Sequence, residues 1–440
     1  MNGRELGVCE LACQLLHDDF AGWGLGSLIV KASGPFSKDI LYKALKQIYA
    51  EQPLLRARIR KGKKRYFFEL DVEFEDIPID IISYDSSELP LDYYEKEFDD
   101  LFPSEKYLWR FKWFKPDSKD KDSFFIFSFN HVLAEGGSAY IIFYDLLHKC
   151  KNIYGNIQIP LKPFEVMPKL EEILPDSPTY EEYISNQRSL FEGGADDKTP
   201  ASLDRKEILT ARPFDEYAPI GERRTHCVFH LFHETKLKKV IKFCKKHEIT
   251  VNDLLNAILL KNVQENNDIP VAVSLETPIN LKKYCSPVVS DKYFGLYIGV
   301  MPVSVTVFGQ EDVLKLARSY RHAFELEFKS KAYYFPQSAD VSDVVDNIIC
   351  ENVMKEKVDF AYSFMITNMG KYDFSGSTPF TIKEAYIAGG RGGGDQIMLV
   401  AVTTINDTMN LSFSYSYPLL SDENASDIIN SFMHTLNSIQ

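Results

Sequence analysis

One stretch, Ser123 to Cys150 (SFFIFSFNHVLAEGGSAYIIFYDLLHKC), constrains the rest of the chain more than any other. Its first part, Ser123 to Asn130, is nearly all apolar and rich in phenylalanine. A short run without polar alternation fits a strand covered on both faces, since a half-exposed strand would show a period of two. The pair Gly136–Gly137 breaks the pattern. Beyond it Ile141, Ile142, Leu146 and Leu147 fall near helical spacing, with Ser138 as a candidate cap. His131 therefore stands where a rigid strand runs out, beside a tight turn, with Glu135 four positions on. An imidazole fixed on a rigid element suits general-base chemistry. The plainer alternative is a histidine that only ends a strand and bonds a backbone carbonyl.

At 440 residues, 45% hydrophobic and 26% charged, the chain is long enough for two core-bearing units of ordinary globular composition. Glu5, Glu10, Asp18 and Asp19 interrupt the N-terminal region, so no secretory signal is expected. The longest uncharged apolar run, Tyr293 to Gly309, carries Pro302 and early glycines; it reads as strand, and no transmembrane segment is expected. The seven cysteines are scattered, odd in number and form no CxxC pair, which fits free thiols in a reducing cytoplasm. A net charge of −13 argues against a general nucleic-acid binder and means that an anionic ligand would need a local basic patch.

Read in order, residues 26 to 33 form a strand, and Ser37 caps a helix whose Ile40, Leu41, Ala44, Leu45 and Ile48 share one face up to Pro53. Leu54 to Ile59 and Arg65 to Leu70 read as strands about a Lys61–Gly62 turn. Residues 91 to 106 read as helix, and Leu108 to Phe114 as a half-buried strand leading to the His131 strand. From Pro160 to about Arg224 the chain is polar and rich in Pro, Asp and Glu, a linker with one helix over Tyr180 to Phe191. The second half opens with a strand near Cys227 to Phe232 and a helix from Thr235 to His247, one face of which is lined with lysines. Thr250 and Asp253 cap the next helix. Strands follow at Val271 to Ser274, Ile397 to Thr404 and Met409 to Ser416, and Ser421 caps the last helix.

The string His131-Val-Leu-Ala-Glu135-Gly136 resembles the HxxxDG motif of the acyltransferase superfamily that contains chloramphenicol acetyltransferase, the plant BAHD enzymes, alcohol acetyltransferases and nonribosomal peptide synthetase condensation domains. The helix followed by PLLRARI and a β turn is similar to the opening of condensation-type members. Thr277-Pro-Ile-Asn-Leu281-Lys282 resembles a string such as PVNLR, Phe294-Gly295 an FGN-type strand start, and Phe364 to Gly370 an S-N-x-G stretch with Thr367 in place of Ser. The likeness spans nearly the whole chain in order.

The resemblance implies an α/β fold of two chloramphenicol-acetyltransferase-like subdomains, each a mixed sheet covered by helices, with the active-site tunnel between them. The subdomains would be residues 1–165 and 225–440, joined by a crossover at 166–224. It implies His131 as catalytic base, Gly136 N–H and Asn368 as oxyanion or substrate-positioning groups, and Glu135 with Lys282 as a structural ion pair holding the His131 loop. Here Asp has become Glu and Arg has become Lys, so both partners change size while their charges stay complementary. The reaction would move an acyl group from acyl-CoA or an acyl carrier protein to a hydroxyl or amine acceptor, possible apolar character being hinted by the Phe and Tyr content. No bound cofactor is needed. Asn130 departs from condensation domains, where a first His precedes the catalytic one. Two rivals remain: a carrier-protein-fed condensation enzyme, and a non-catalytic binding or scaffold protein that keeps the fold.

Other constellations carry less. His226, His230 and His233 would lie on a strand, the first two roughly 13 Å apart and the third on the opposite face, so they do not converge on a metal. The glycine-rich loop Gly389 to Gly394 lacks phosphate-cradling spacing and fits a crossover between subdomains. The lysines of the 235–247 helix read as a solvated face, with contact to an anionic donor as the alternative.

Overall fold

The computed structural model describes residues 3–20, 22–118, 121–185, 211–265, 270–331, 333–346, 359–361, 363–390 and 396–439. In the first half these form β1 (Gly3–Glu5), α1 (Val8–Asp19), β2 (Leu25–Ser33), α2 (Lys38–Glu51), β3 (Arg58–Lys61), β4 (Tyr66–Glu69), β5 (Ile79–Ser83), α3 (Leu91–Lys96), β6 (Trp109–Lys115), β7 (Ser123–Asn130) and α4 (Gly136–Tyr154). The second half contributes β8 (Ala211–Pro213), β9 (Arg224–Phe232), β10 (Val271–Asn280), β11 (Ile298–Val307), β12 (Asp359–Ala361), β13 (Ser363–Tyr372), β14 (Thr381–Gly389), β15 (Met398–Ile405) and β16 (Thr408–Tyr417).

Every residue of β7 is buried, as its unbroken apolar run requires. Phe125, Phe127 and Phe129 face one core with Phe111, Phe143 and Phe294, while Phe124 and Ile126 face another with Tyr94, Phe98 and Cys227. β7 is the middle strand of a mixed sheet ordered β14-β2-β7-β6-β5. The second large sheet is ordered β11-β10-β13-β15-β16-β9, with β13 parallel to both of its neighbours. The two sheets are not built from separate halves of the chain. β14 leaves the second half and pairs antiparallel with β2 from Thr381 opposite Ser33 to Gly389 opposite Gly26. A mixed two-subdomain α/β architecture with a strand exchanged between subdomains is the result.

Several local readings shift. Pro53 starts a 3-10 turn, Pro53–Arg56, instead of a strand, because its fixed φ suits a first helical position; the strand begins only at Arg58. The helix expected over 91–106 stops at Lys96, and Phe102 precedes Pro103, which disfavours helical backbone there. α4 begins at Gly136, so Ser138 lies within its first turn and gives its hydroxyl proton to Glu135 Oε1 at 2.6 Å instead of capping. β10 runs on past Ser274 to Asn280, paired throughout with β11. The expected caps at Ser37, Thr250/Asp253 and Ser421 are present.

The polar connection after α4 is tied to both halves as far as it is described. Lys162 N–H donates to Glu51 Oε1 at 3.0 Å, Tyr297 O–H donates to the Pro168 carbonyl at 2.8 Å, and Ser286 N–H to that of Ile173 at 2.7 Å. Residues 180–185 of the expected Tyr180–Phe191 helix are helical, and the remainder lies outside the described residues, as does most of the glycine-rich loop. Among the described residues no helix is long and apolar enough to cross a membrane.

Candidate active site

The end of β7 is held by backbone contacts. Asn130 N–H donates to the Leu108 carbonyl at 2.8 Å, and His131 N–H to the Gly24 carbonyl at 2.7 Å. The Asn130 side chain is fully buried; its amide donates to Gln14 Oε1 at 3.0 Å and Ser104 Oγ at 3.3 Å, and its oxygen accepts from Val132 N–H at 3.0 Å. The residue that departs from the condensation-domain pattern is thus a polar hub locking the strand end to α1. His131 lines a cavity of about 580 Å³ walled by both halves of the chain. Its Nδ1 is buried and meets no hydrogen-bond partner among the described residues, so Nε2 is the ring nitrogen left to face a substrate.

Glu135 and Lys282 meet. Lys282 Nζ lies 2.7 Å from Glu135 Oε1, and both side chains are buried. The ammonium also donates to Ser138 Oγ at 3.0 Å and the Tyr293 carbonyl at 2.8 Å, while Glu135 Oε2 accepts from Tyr297 N–H at 3.2 Å. A buried pair of this kind persists only when its remaining hydrogen-bonding capacity is met, as it is here. The contacts join the turn after His131 to the β10–β11 connection of the other half.

The first turn of α4 opens on the same cavity through Gly136 and Gly137. A Cβ at Gly136 would come within 3.2 Å of both Met369 Sδ and Ile387 Cδ1, so glycine lets β13 and β14 close over the helix start. The N–H groups of a first helical turn have no intrahelical partner and carry a partial positive charge. Asn368 lines the cavity from β13, and its Oδ1 accepts from Gly370 N–H at 3.0 Å. His131, Glu135, Gly136 and Asn368 are therefore brought to one cavity, with Lys282 behind Glu135.

Sequence reasoning missed α1 altogether. Cys9 and Cys13, one helical turn apart, both line the cavity. Burial works against a charged imidazole at His131, yet the neighbouring Cys13 outweighs it and raises the histidine pKa. Contact with Cys9 first, and then with His131, lowers the Cys13 thiol, while Cys9 is pushed up by the same contact with Cys13. The signal was present as apolar residues at helical spacing in VCELACQLL and as a four-residue separation of two cysteines. Glu276 and Gln396, hydrogen-bonded to each other at another wall, were also missed.

The remaining histidines go elsewhere. His226 Nδ1 lies 2.8 Å from Asp422 Oδ1, and its ring stacks on Tyr417. Among the described residues no group of three or more His, Cys, Asp or Glu side chains converges as metal ligands. In the Glu234–Lys246 helix, Lys238 pairs with Glu234 and Lys236 donates to Asn437 at 2.6 Å.

A two-subdomain α/β fold with an HxxxEG turn at the wall of an interdomain cavity defines a member of the CoA-dependent acyltransferase and condensation-domain superfamily. Within it the chain belongs to the alcohol acetyltransferase family, which matches residues 103–438. Among solved structures it is similar to trichothecene 15-O-acetyltransferase from Fusarium sporotrichioides, at 11% identity and TM-score 0.73 over 100% of this chain and 96% of that one. It is similar to the first condensation domain of the calcium-dependent antibiotic synthetase, at 12% identity and TM-score 0.74 over 100% and 96%. Polyketide synthase associated protein 5 from Mycobacterium tuberculosis aligns at 11% identity and TM-score 0.67 over 99% and 98%. No curated protein matches the sequence. The family is one of acyltransferases.

Proposed function

We propose that the protein moves an acyl group from a thioester donor to a hydroxyl acceptor in the cavity between its halves, with His131 as general base. The observation that carries this is the convergence of His131, the α4 N-terminus and Asn368 on one cavity walled by both subdomains. Neutral His131 takes the acceptor proton through Nε2 as the acceptor oxygen attacks the carbonyl carbon. The developing oxyanion is stabilised by the Gly136 N–H and the Asn368 amide. Collapse expels the donor thiolate, which recovers the proton from His131. Glu135 and Lys282 hold the loop that aims the imidazole.

The family's name and the 15-O-acetyltransferase likeness favour a hydroxyl over an amine acceptor and a coenzyme A thioester as donor. Trp23, Phe129, Ile298, Val300 and Leu399 along the cavity favour an apolar acceptor. The subdomains are assigned to 1–165 and 225–440, with 166–224 between them and β14 exchanged. Free buried thiols such as Cys150 and Cys244 fit a reducing, cytoplasmic setting. The condensation-domain likeness favours carrier-protein delivery as a second reading, against which stands Asn130, bound to Gln14 where a first histidine would be.

Incubating the protein with acetyl-CoA and longer acyl-CoA species beside a panel of apolar alcohols, and following thiol release and ester formation, tests the proposal. Acceptor-dependent thiol release that His131→Ala abolishes is expected. Absence of ester with every pair would overturn it.

A further inference from the structure

Strand register in the second sheet sets one wall of the cavity. On β10, Val273, Leu275 and Thr277 turn away from it: the first two are core residues, and Thr277 Oγ1 lies 2.7 Å from the Tyr320 hydroxyl of the helix Val313–Ser330. A strand alternates its faces, so Glu276 and Pro278 point the other way, and both line the cavity. Glu276 stands opposite Met365 of β13, and Met365 opposite Leu399 of β15. Thr367 and Ala401 form the next row along. Glu276 thus brings a carboxylate to the cavity beside uncharged Pro278, Met365, Thr367, Leu399 and Ala401. Buried Gln396, from the start of the segment before β15, donates its amide proton to Glu276 Oε2.

The same register places the carboxylate relative to the reacting groups. Asn368, assigned to the oxyanion in the direct transfer described above, is three residues beyond Met365, the neighbour of Glu276 on a parallel strand. That separates the two by roughly 10 Å along the strands. A carboxylate has about four lone-pair sites, and the bond from Gln396 orients it while taking one of them. An acceptor made of hydrocarbon alone would press methylene groups against this carboxylate and strip water from it. A hydrogen-bond donor on the acceptor removes that cost. A wall of this kind separates substrates by what they fail to offer it.

We propose that Glu276, oriented by Gln396, determines acceptor specificity: it selects an acceptor with an apolar body and a second hydrogen-bond donor, a hydroxyl or an ammonium, at its far end. The second donor lies roughly 10 Å from the hydroxyl that is acylated. The inference rests on the direct acyl-transfer reading and deepens it by naming the acceptor class. The reacting hydroxyl lies at His131 and the α4 N-terminus, the hydrocarbon runs along Met365 and Leu399, and the second donor meets Glu276. No bond is made or broken at Glu276, and His131 keeps its part as base. The contact at the far end fixes how deep the acceptor sits, and so presents its hydroxyl to His131 in one orientation.

The test gives the full chain acetyl-CoA with 1-octanol, octane-1,8-diol or 8-aminooctan-1-ol and compares kcat/KM for ester formation. A bifunctional acceptor is expected to exceed 1-octanol by on the order of 10- to 100-fold, beyond the statistical advantage of two equivalent hydroxyls. A preference for the amino alcohol that Glu276→Gln removes identifies an ammonium, and a preference for the diol a hydroxyl. Glu276→Leu makes this part of the wall hydrocarbon. It is expected to invert the order, lowering kcat/KM for the bifunctional acceptors and raising it for 1-octanol, which a loss of packing alone would not do. Glu276→Gln keeps the side chain's size and a partner for Gln396, so it reports on specificity even where the leucine variant does not fold; its preference is expected to weaken. Equal kcat/KM for 1-octanol and both bifunctional acceptors, or a preference unchanged in the folded variants, overturns the assignment and leaves acyl transfer standing. If no ester forms with any acceptor, the acyl-transfer reading fails by itself, and calorimetric titration of the three alcohols tests the site alone. Tighter binding of a bifunctional alcohol that is weakened in Glu276→Gln supports it, and equal binding of all three overturns it.

Discussion

Lys282 Nζ lies 2.7 Å from Glu135 Oε1 in a buried ion pair, and the same ammonium donates to Ser138 Oγ, on the turn that bears Glu135, at 3.0 Å and to the Tyr293 carbonyl at 2.8 Å. The compact ammonium meets all three groups from one nitrogen, whereas a guanidinium spreads its donors over a larger planar fork. Lys282→Arg alone is therefore expected to crowd the site, and Glu135→Asp alone to pull the carboxylate away from Lys282 and from the Tyr297 N–H. Each is expected to lower stability and activity. The double variant restores a shorter carboxylate with a longer fork and is expected to recover much of both, a coupling that a double-mutant cycle reads directly. Lys282→Met leaves a buried carboxylate without its partner and is expected to cost on the order of 3–5 kcal/mol in urea unfolding. Strictly additive effects across the cycle would deny the pair its role in holding the His131 loop.

His131→Ala removes the base from the cavity wall without removing a side-chain hydrogen bond from Nδ1, which has no partner among the described residues. Its fold is expected to survive, with thermal unfolding close to wild type. Turnover to ester is expected to fall by roughly 10²–10⁴-fold, the range for a lost general base. A variant with near-wild-type ester formation would take His131 out of the mechanism.

The strand that ends in His131 was legible because its burial on both faces leaves a mark in sequence: eight residues, Ser123–Asn130, with hardly a polar break. The Glu135–Lys282 meeting was reachable only through the resemblance, since nothing in either residue's neighbourhood announces a partner more than a hundred positions away. The return of β14 to the first sheet was illegible for a related reason. Strand patterning states which face is buried, but not which neighbour supplies the hydrogen bonds. Cys13 escaped for a different one. Its significance depends on how near α1 approaches Gly24, a packing distance that no periodicity encodes.

The lysine-bearing helix Glu234–Lys246 poses a question of electrostatics. Lys238 already pairs with Glu234. Lys242 is exposed on the same helix. If this face draws in an anionic donor, Lys238→Glu with Lys242→Glu is expected to raise the apparent KM for acyl-CoA at low salt. The increase is expected to shrink as salt screens exposed charge over about 8–10 Å. A KM unchanged at low salt would assign the lysines to a solvated face with no part in donor capture.

Glu171 ties the start of α1, and so the helix that bears Cys13, to the segment after α4. Its Oε1 accepts from Val8 N–H at 3.0 Å, and its Oε2 has no partner among the described residues. Burial, reinforced by the nearby Glu10, pushes the carboxyl up to about 7, although the Val8 N–H and Lys169 favour its ionised form. The ordinary value of 4.5 applies in the unfolded chain, so between that pH and about 7 the folded state binds more protons. This group's contribution to stability is thus greatest below the unfolded value and is lost as pH rises through the folded one. Glu171→Gln keeps an oxygen for the Val8 N–H and cannot ionise. It is expected to gain on wild type in urea unfolding as pH is raised from about 4.5 to 8, with the advantage smallest at the acid end. A difference between variant and wild type that stays constant across that range would show that Glu171 does not titrate on folding. A difference that grows with pH locates part of the protein's alkaline instability at the anchor of α1.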